Sequence, residues 1–102
     1  MKFNDYLGRE IELSKESWEH IQDSHPEISQ QDIINVLLKP DEVRRSSYST
    51  QAELYYLIKS HVPKLRYSCV VVKVLTVGCY ISTAMTLISM KKGTVIYIRE
   101  KE

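Results

Sequence analysis

Beyond Pro40 the chain contains five segments, residues 43–48, 54–60, 67–75, 79–89 and 94–99, that are dense in Val, Ile, Tyr and Thr. Residues of these types fit a pleated, half-buried surface, so each segment reads as a β-strand. Turn-type residues separate them, and the connections are shorter than the dozen or so residues a parallel crossover needs. An antiparallel meander follows. At 102 residues the whole chain is one domain, with enough length for a single core and too little for two.

The periodicity before Pro40 is different. Residues 10–13, Glu-Ile-Glu-Leu, alternate polar and apolar and predict a short strand. Ser14 is a helix cap ahead of Lys15, with Glu16 favourable in the first turn. Trp18, Ile21 and His25 fall on one helical stripe, and Pro26 disfavours the α conformation at His25, which ends the helix there. Ser29 and Asp32 have the spacing of a reciprocal cap for a second helix, whose stripe is Ile33, Val36 and Leu37, widened by Ile34 and Leu38. Pro40 stops it. Two helices followed by strands make an α+β fold in which the helices cover one face of the sheet.

Alternation within the strands assigns side chains to faces. Val70, Val72 and Val74 share one side, and Cys69, Val71, Lys73 and Leu75 the other. In the next strand Ile81, Thr83, Met85 and Leu87 make the more apolar side. A two-residue turn at Val77-Gly78 sets that side beside the valines and leaves Lys73 on the open face with Ser82 and Thr86. A three-residue turn brings Thr83 to the lysine instead. The segment 54–60 is apolar on both sides, so it belongs in the middle of the sheet with one of its tyrosines buried. Cys69 and Cys79 lie several residue pairs apart along this hairpin, beyond the roughly 4.4–6.8 Å between Cα atoms that a disulfide spans, and read as reduced fillers.

The charge balance narrows the possible partners. Fourteen basic residues against thirteen acidic leave +1, so any nucleic-acid contact must come from a local cluster such as Arg44-Arg45 or Lys91-Lys92. No CxxC or His/Cys pattern of zinc spacing occurs, and neither metal nor cofactor is expected. The opening residues lack the apolar run of a signal peptide, and the longest apolar stretch, near residues 69–80, is interrupted by Lys73 and too short to span a bilayer. A cytoplasmic chain without membrane contact is expected.

Three kinds of residue bring chemistry. Imidazole shuttles protons near neutral pH, and His20 and His25 stand about 140° apart around a helix at roughly 100° per residue. They share a site only where the helix has unwound at His25. His25 continues the buried stripe and lies at a helix C-terminus, which favours imidazolium; as a polar cap it would also bond the last carbonyls. Lys73 interrupts an apolar strand and needs either an anion on its face or solvent. Seven tyrosines against one phenylalanine give the sheet a surface able to stack bases, although no RNP-like aromatic spacing is present.

The ordered series Trp18-x-His20-Ile21-x3-His25-Pro26-Glu27, Pro40-Asp41-x-Val43, Tyr55-Tyr56, Val70-Val-Val-Lys73-Val and Ser82-Thr83-Ala84 resembles phage- and bacterium-associated domains of the barnase/EndoU/colicin/RelE-like nuclease superfamily. The resemblance covers nearly the whole chain. It implies two N-terminal helices on an antiparallel four- to five-stranded sheet with substrate on the opposite face. The implied activity is a toxin-type, metal-independent endoribonuclease forming a 2′,3′-cyclic phosphate, and the implied partners are RNA and an antitoxin or immunity protein. The implied catalytic residues are His20, His25, Lys73 and Thr83, with Tyr56; Arg44, Arg45, Ser82 and Thr86 would bind substrate. Met85 departs from the pattern, since many members have an aromatic after Thr-Ala. The alternative is a non-catalytic protein- or RNA-binding module on the same fold.

Overall fold

Two strands precede the helices. In a computed structural model, which describes residues 1–100, β1 (Lys2–Asn4) and β2 (Glu10–Glu12) come first, then α1 (Lys15–Ser24) and α2 (Gln30–Leu38). Five more strands follow: β3 (Glu42–Ser46), β4 (Ala52–Ser60), β5 (Arg66–Leu75), β6 (Gly78–Leu87) and β7 (Gly93–Ile98). Among the described residues all seven strands join one sheet in the order β1-β2-β6-β5-β4-β3-β7. The expected antiparallel four- to five-stranded sheet behind two N-terminal helices is therefore incorrect. The short segment 10–13 enters the sheet parallel to β6, pairing Ile11 with Cys79 and Glu12 with Tyr80. A strand from residues 2–4 extends it, held by Lys2–Glu10 and by backbone pairing across Phe3 and Ile11. Only three residues long, with Phe3 its one apolar member, that strand is too short for its alternation to stand out in the sequence.

The helices form where local chemistry starts and stops them. Ser14 accepts from the Ser17 N–H at 3.0 Å and His25 is the C-cap of α1, its N–H donating to the Ile21 carbonyl. Ser29 and Asp32 close a reciprocal cap on α2, and buried Pro40 follows its end. Both helices lie on one side of the sheet. Ile21, Ile28, Ile33, Val36 and Leu37 join Ile11, Leu13, Val43, Tyr55, Val70, Val72, Ile81 and Ala84 in one buried cluster.

The opposite side has its own smaller cluster, in which Leu54, Tyr56 and Cys69 are buried under Tyr67, Val71, Met85, Leu87 and Met90. What covers it is the connection from β6 to β7. Those strands are four places apart in the sheet, so residues 88–92 cross β5, β4 and β3. The Lys91 N–H donates to the buried Tyr56 hydroxyl at 2.9 Å, and Arg44 donates to the Lys91 carbonyl at 3.1 Å. A strap thus lies across a face that the sequence left open.

The β5–β6 hairpin turns at Thr76-Val77, with Leu75 opposite Gly78. The expected turn one residue later is wrong, and a bulge shifts the register again between Val71 and Val72. Ser82 takes up the extra residue. Val72 consequently faces Ile81 and Val70 faces Ala84 on the helix side, while Thr83 stands opposite Val71 and Met85 opposite Cys69 on the strap side. Thr86 pairs with Ser68 on the helix side. Hydrophobic matching misplaced these residues because it assumed unbroken alternation. Cys69 and Cys79 are free, as read, and pair with Met85 and Val74 in the ladder.

Candidate functional site

The sequence-predicted residues divide between two faces. Lys73 lies on the strap side opposite Ala52 and Tyr80. Its Nζ reaches the Ser49 hydroxyl at 3.5 Å and is half-buried. Thr83 shares that face, opposite Val71, where the two-residue turn had not set it. Tyr56 is fully buried beneath the strap, its hydroxyl occupied by Lys91. Arg44 pairs with Glu42 on the same face, whereas Arg45 is exposed and turned to the other side. Ser82 sits in the bulge.

The histidines belong to α1, which packs on β6 from the helix side. The sheet therefore stands between both of them and Lys73. His20 is exposed. His25 sits where α1 has ended, its backbone (φ −138°, ψ 64°) already outside the helical region, with about a third of its side chain exposed. Its Nδ1 lies 3.9 Å from Oε2 of Glu27. The Glu27 carboxyl is held below its usual range, first by its own backbone N–H and further by the Thr86 amide and by His25. Thr86 thus leaves the lysine's side, where the alternation had set it, and joins the histidine.

That corner of the sheet has an open strand edge. β2 covers β6 only at Cys79 and Tyr80, so the later residues of β6 have no strand on that side. The Pro26 turn, fixed by the N–H of Ile28 donating to the His25 carbonyl at 3.0 Å, brings Glu27 to this edge. His25 and Glu27 make an accessible pair of one imidazole and one carboxylate, beside Thr86, whose hydroxyl oxygen is buried. Glu27 went unassigned in the sequence although it stands two residues from His25 in the same motif. Without knowledge of the Thr86 face, nothing distinguished it from a solvated charge.

A second polar group was also missed. Arg9 donates through Nε to Asp5 at 2.9 Å, and through Nη2 to Glu53 at 2.6 Å and to the Tyr55 hydroxyl at 2.7 Å. Tyr55 donates in turn to Asp5 at 2.7 Å. Burial and the neighbouring carboxylates push the phenol of Tyr55 far above its ordinary value, and the two carboxylates stabilise the Arg9 cation. Tyr6 stacks on Tyr97 with ring centroids 4.3 Å apart, so the β1–β2 loop reaches across to the last strand. Every member has a partner here, and the network fastens the loop to the sheet. A cavity of about 310 Å³ lies elsewhere, lined by Asn35, Leu38, Lys39, Leu57 and Arg99; no predicted site residue lines it.

No protein-family model, curated protein or solved structure matches the chain. Among the described residues no helix is long and apolar enough to cross a membrane.

Proposed function

We propose that the chain is a metal-independent endoribonuclease working at the His25 corner of β6. The single observation that supports this most is the half-exposed imidazole of His25 beside Glu27, at the end of a helix and next to an unpaired strand edge. Imidazole exchanges protons at neutral pH. The ordered motifs that resemble those of the barnase/EndoU/colicin/RelE-like superfamily point to the same chemistry.

The reaction is a transesterification. The His25 imidazole takes the proton of a ribose 2′-OH, and the 2′-oxygen attacks phosphorus. The P–O5′ bond breaks, and the departing 5′-oxygen receives a proton from the imidazolium. The products are a 2′,3′-cyclic phosphate and a 5′-hydroxyl, and the histidine returns to its starting form. Such proton transfer supplies a factor of roughly 10²–10⁴. In this reading the chain is toxin-like and acts in the cytoplasm, and an antitoxin or immunity protein would cover the His25 corner rather than the strapped face.

The test is cleavage of single-stranded RNA by the purified chain in excess EDTA, with the termini identified by mass spectrometry. Cyclic phosphate ends are expected, with activity lowered at least about 100-fold in His25→Ala and little changed in His20→Ala. No cleavage by the wild type, or full activity in His25→Ala, overturns the proposal. The near-neutral charge favours a second reading, a non-catalytic protein- or RNA-binding module. Retention of uncleaved RNA by the wild type would identify an RNA-binding module.

A further inference from the structure

Among the described residues two buried side-chain atoms have no hydrogen-bond partner, Nη1 of Arg66 and Oγ1 of Thr86. Leaving a buried donor unsatisfied is costly, and more so for a charged group. Most buried polar atoms in folded proteins are paired, so two orphans in one place call for an explanation. They are in one place. Thr86 pairs with Ser68 across the β5–β6 ladder, and Arg66 lies two residues before Ser68 on the same face. Both belong to the helix side, at the end of the sheet where Glu27 meets Thr86.

The other arginines with polar contacts behave differently. Arg9, Arg44 and Arg99 each grip a carboxylate. Arg66 has no carboxylate within ion-pair distance among the described residues and keeps a guanidinium nitrogen inside the protein. A guanidinium and a hydroxyl side by side are donors suited to a tetrahedral oxyanion. The open edge of β6 beyond Tyr80 leaves backbone donors beside them, one of which, the Thr86 amide, is turned to the Glu27 carboxylate. Glu27 is exposed and sits on a turn, so its carboxylate can give way to a stronger anion.

We infer that Arg66 and Thr86 form a phosphate-binding subsite on the helix side of the sheet, next to His25, with the Glu27 carboxylate resting on the Thr86 amide when no phosphate is bound. This rests on the nuclease reading for its role, in which the subsite holds the scissile phosphate while His25 moves the proton. The binding itself is independent of that role. Arg66 would supply the positive charge for the phosphate that the resemblance had assigned to Lys73.

The experiment is an NMR titration of the intact chain with inorganic phosphate and, separately, with uridine 3′-monophosphate, in the wild type, Arg66→Met, Thr86→Val and Glu27→Gln. Both ligands should shift the amides of Glu27 and Thr86, and the nucleotide should bind more tightly when the subsite serves RNA. Loss of one charge-assisted bond should weaken phosphate binding roughly 10- to 100-fold in Arg66→Met. Thr86→Val should weaken it several-fold, and Glu27→Gln should strengthen it. Melting temperatures of Arg66→Met and Thr86→Val should hold or rise, because each removes an unsatisfied buried donor. That outcome separates a binding role from a structural one. Wild-type affinity in Arg66→Met, or shifts confined to other parts of the chain, overturns the subsite. Phosphate binding that depends on Arg66, in a chain that leaves RNA intact, retains the subsite and removes the nuclease reading. RNA cleavage that is unaltered in Arg66→Met removes the subsite alone.

Discussion

Lys73 and His25 stand on opposite sides of one sheet, the lysine facing Ser49 on the strap side and the histidine at the end of a helix on the other. A sheet has backbone in its plane and side chains on its two faces, so no single phosphate can touch both groups. Replacing Lys73 with Met should therefore leave RNA cleavage within about threefold of wild type, in contrast to the large loss expected from His25→Ala. Initial rates on one RNA substrate compare the two variants directly. Equal, large losses in both would show that the lysine acts in the reaction.

The Arg9 network makes a strong stability prediction. Asp5 is 3% exposed and Glu53 7%, and removing their shared cation leaves two buried carboxylates facing each other. Arg9→Met should cost about 3–5 kcal/mol, measured by urea unfolding. Tyr55→Phe deletes one hydroxyl from the same group and should cost about 1–3 kcal/mol. Because the residues are in contact, the double variant should lose less than the sum of the two.

Alkaline pH should destabilise the fold through groups under the strap. Burial pushes the Cys69 thiol up to about 12 and the Tyr56 phenol up to about 12. The unfolded chain releases the same protons near their ordinary values, about 8.5 and 10. Below pH 8.5 both states hold these protons and stability is complete. As pH rises from there toward 12 the unfolded state loses protons first, and stability falls. Urea midpoints measured from pH 7 to 11 should drop, and Cys69→Ala should flatten the early part of that drop. At pH 8 a disulfide reagent should modify half-buried Cys79 well before Cys69.

Two glycines should respond to alanine for different reasons. A Cβ on Gly93 would lie 2.3 Å from the Arg45 carbonyl oxygen, against backbone that cannot yield without parting β7 from β3. Gly93→Ala should cost about 1–3 kcal/mol. Gly8 has a positive φ of 81° and open space around it, so Gly8→Ala carries only backbone strain of about 1–2 kcal/mol. Thermal melts should show both losses, and hydrogen exchange should show the β7 amides loosened by the first substitution and not by the second.

The helices were legible because their signals are local. Ser14, Ser29 with Asp32, Pro26 and Pro40 act within a few residues of themselves, and each does what its chemistry prescribes. Strand existence after Pro40 was legible for the same reason. Register was not, since the Ser82 bulge changes which face Thr83 and Thr86 occupy without leaving a mark on the alternation. The strap was hidden because Lys91 and Tyr56 are far apart in sequence. His25 stood out as the better of the two histidines from helix geometry alone. Thr86, which meets Glu27 beside it, comes from a strand distant in sequence, and only the folded register sets them together.

The crossing of residues 88–92 also fixes an order of events during synthesis. β3 emerges early, yet its outer edge pairs only with β7, the last strand of the sheet to be made. Until then the β3 edge is bare, and Leu54, Tyr56 and Cys69 lack their cover of Met90. A nascent chain that had emerged only as far as residue 87 would hold out an unfinished sheet with a free edge and an apolar face short of its cover, the kind of surface that recruits chaperones or neighbouring chains. Emergence of residues 88–98 thus completes both the edge and the cover in one step.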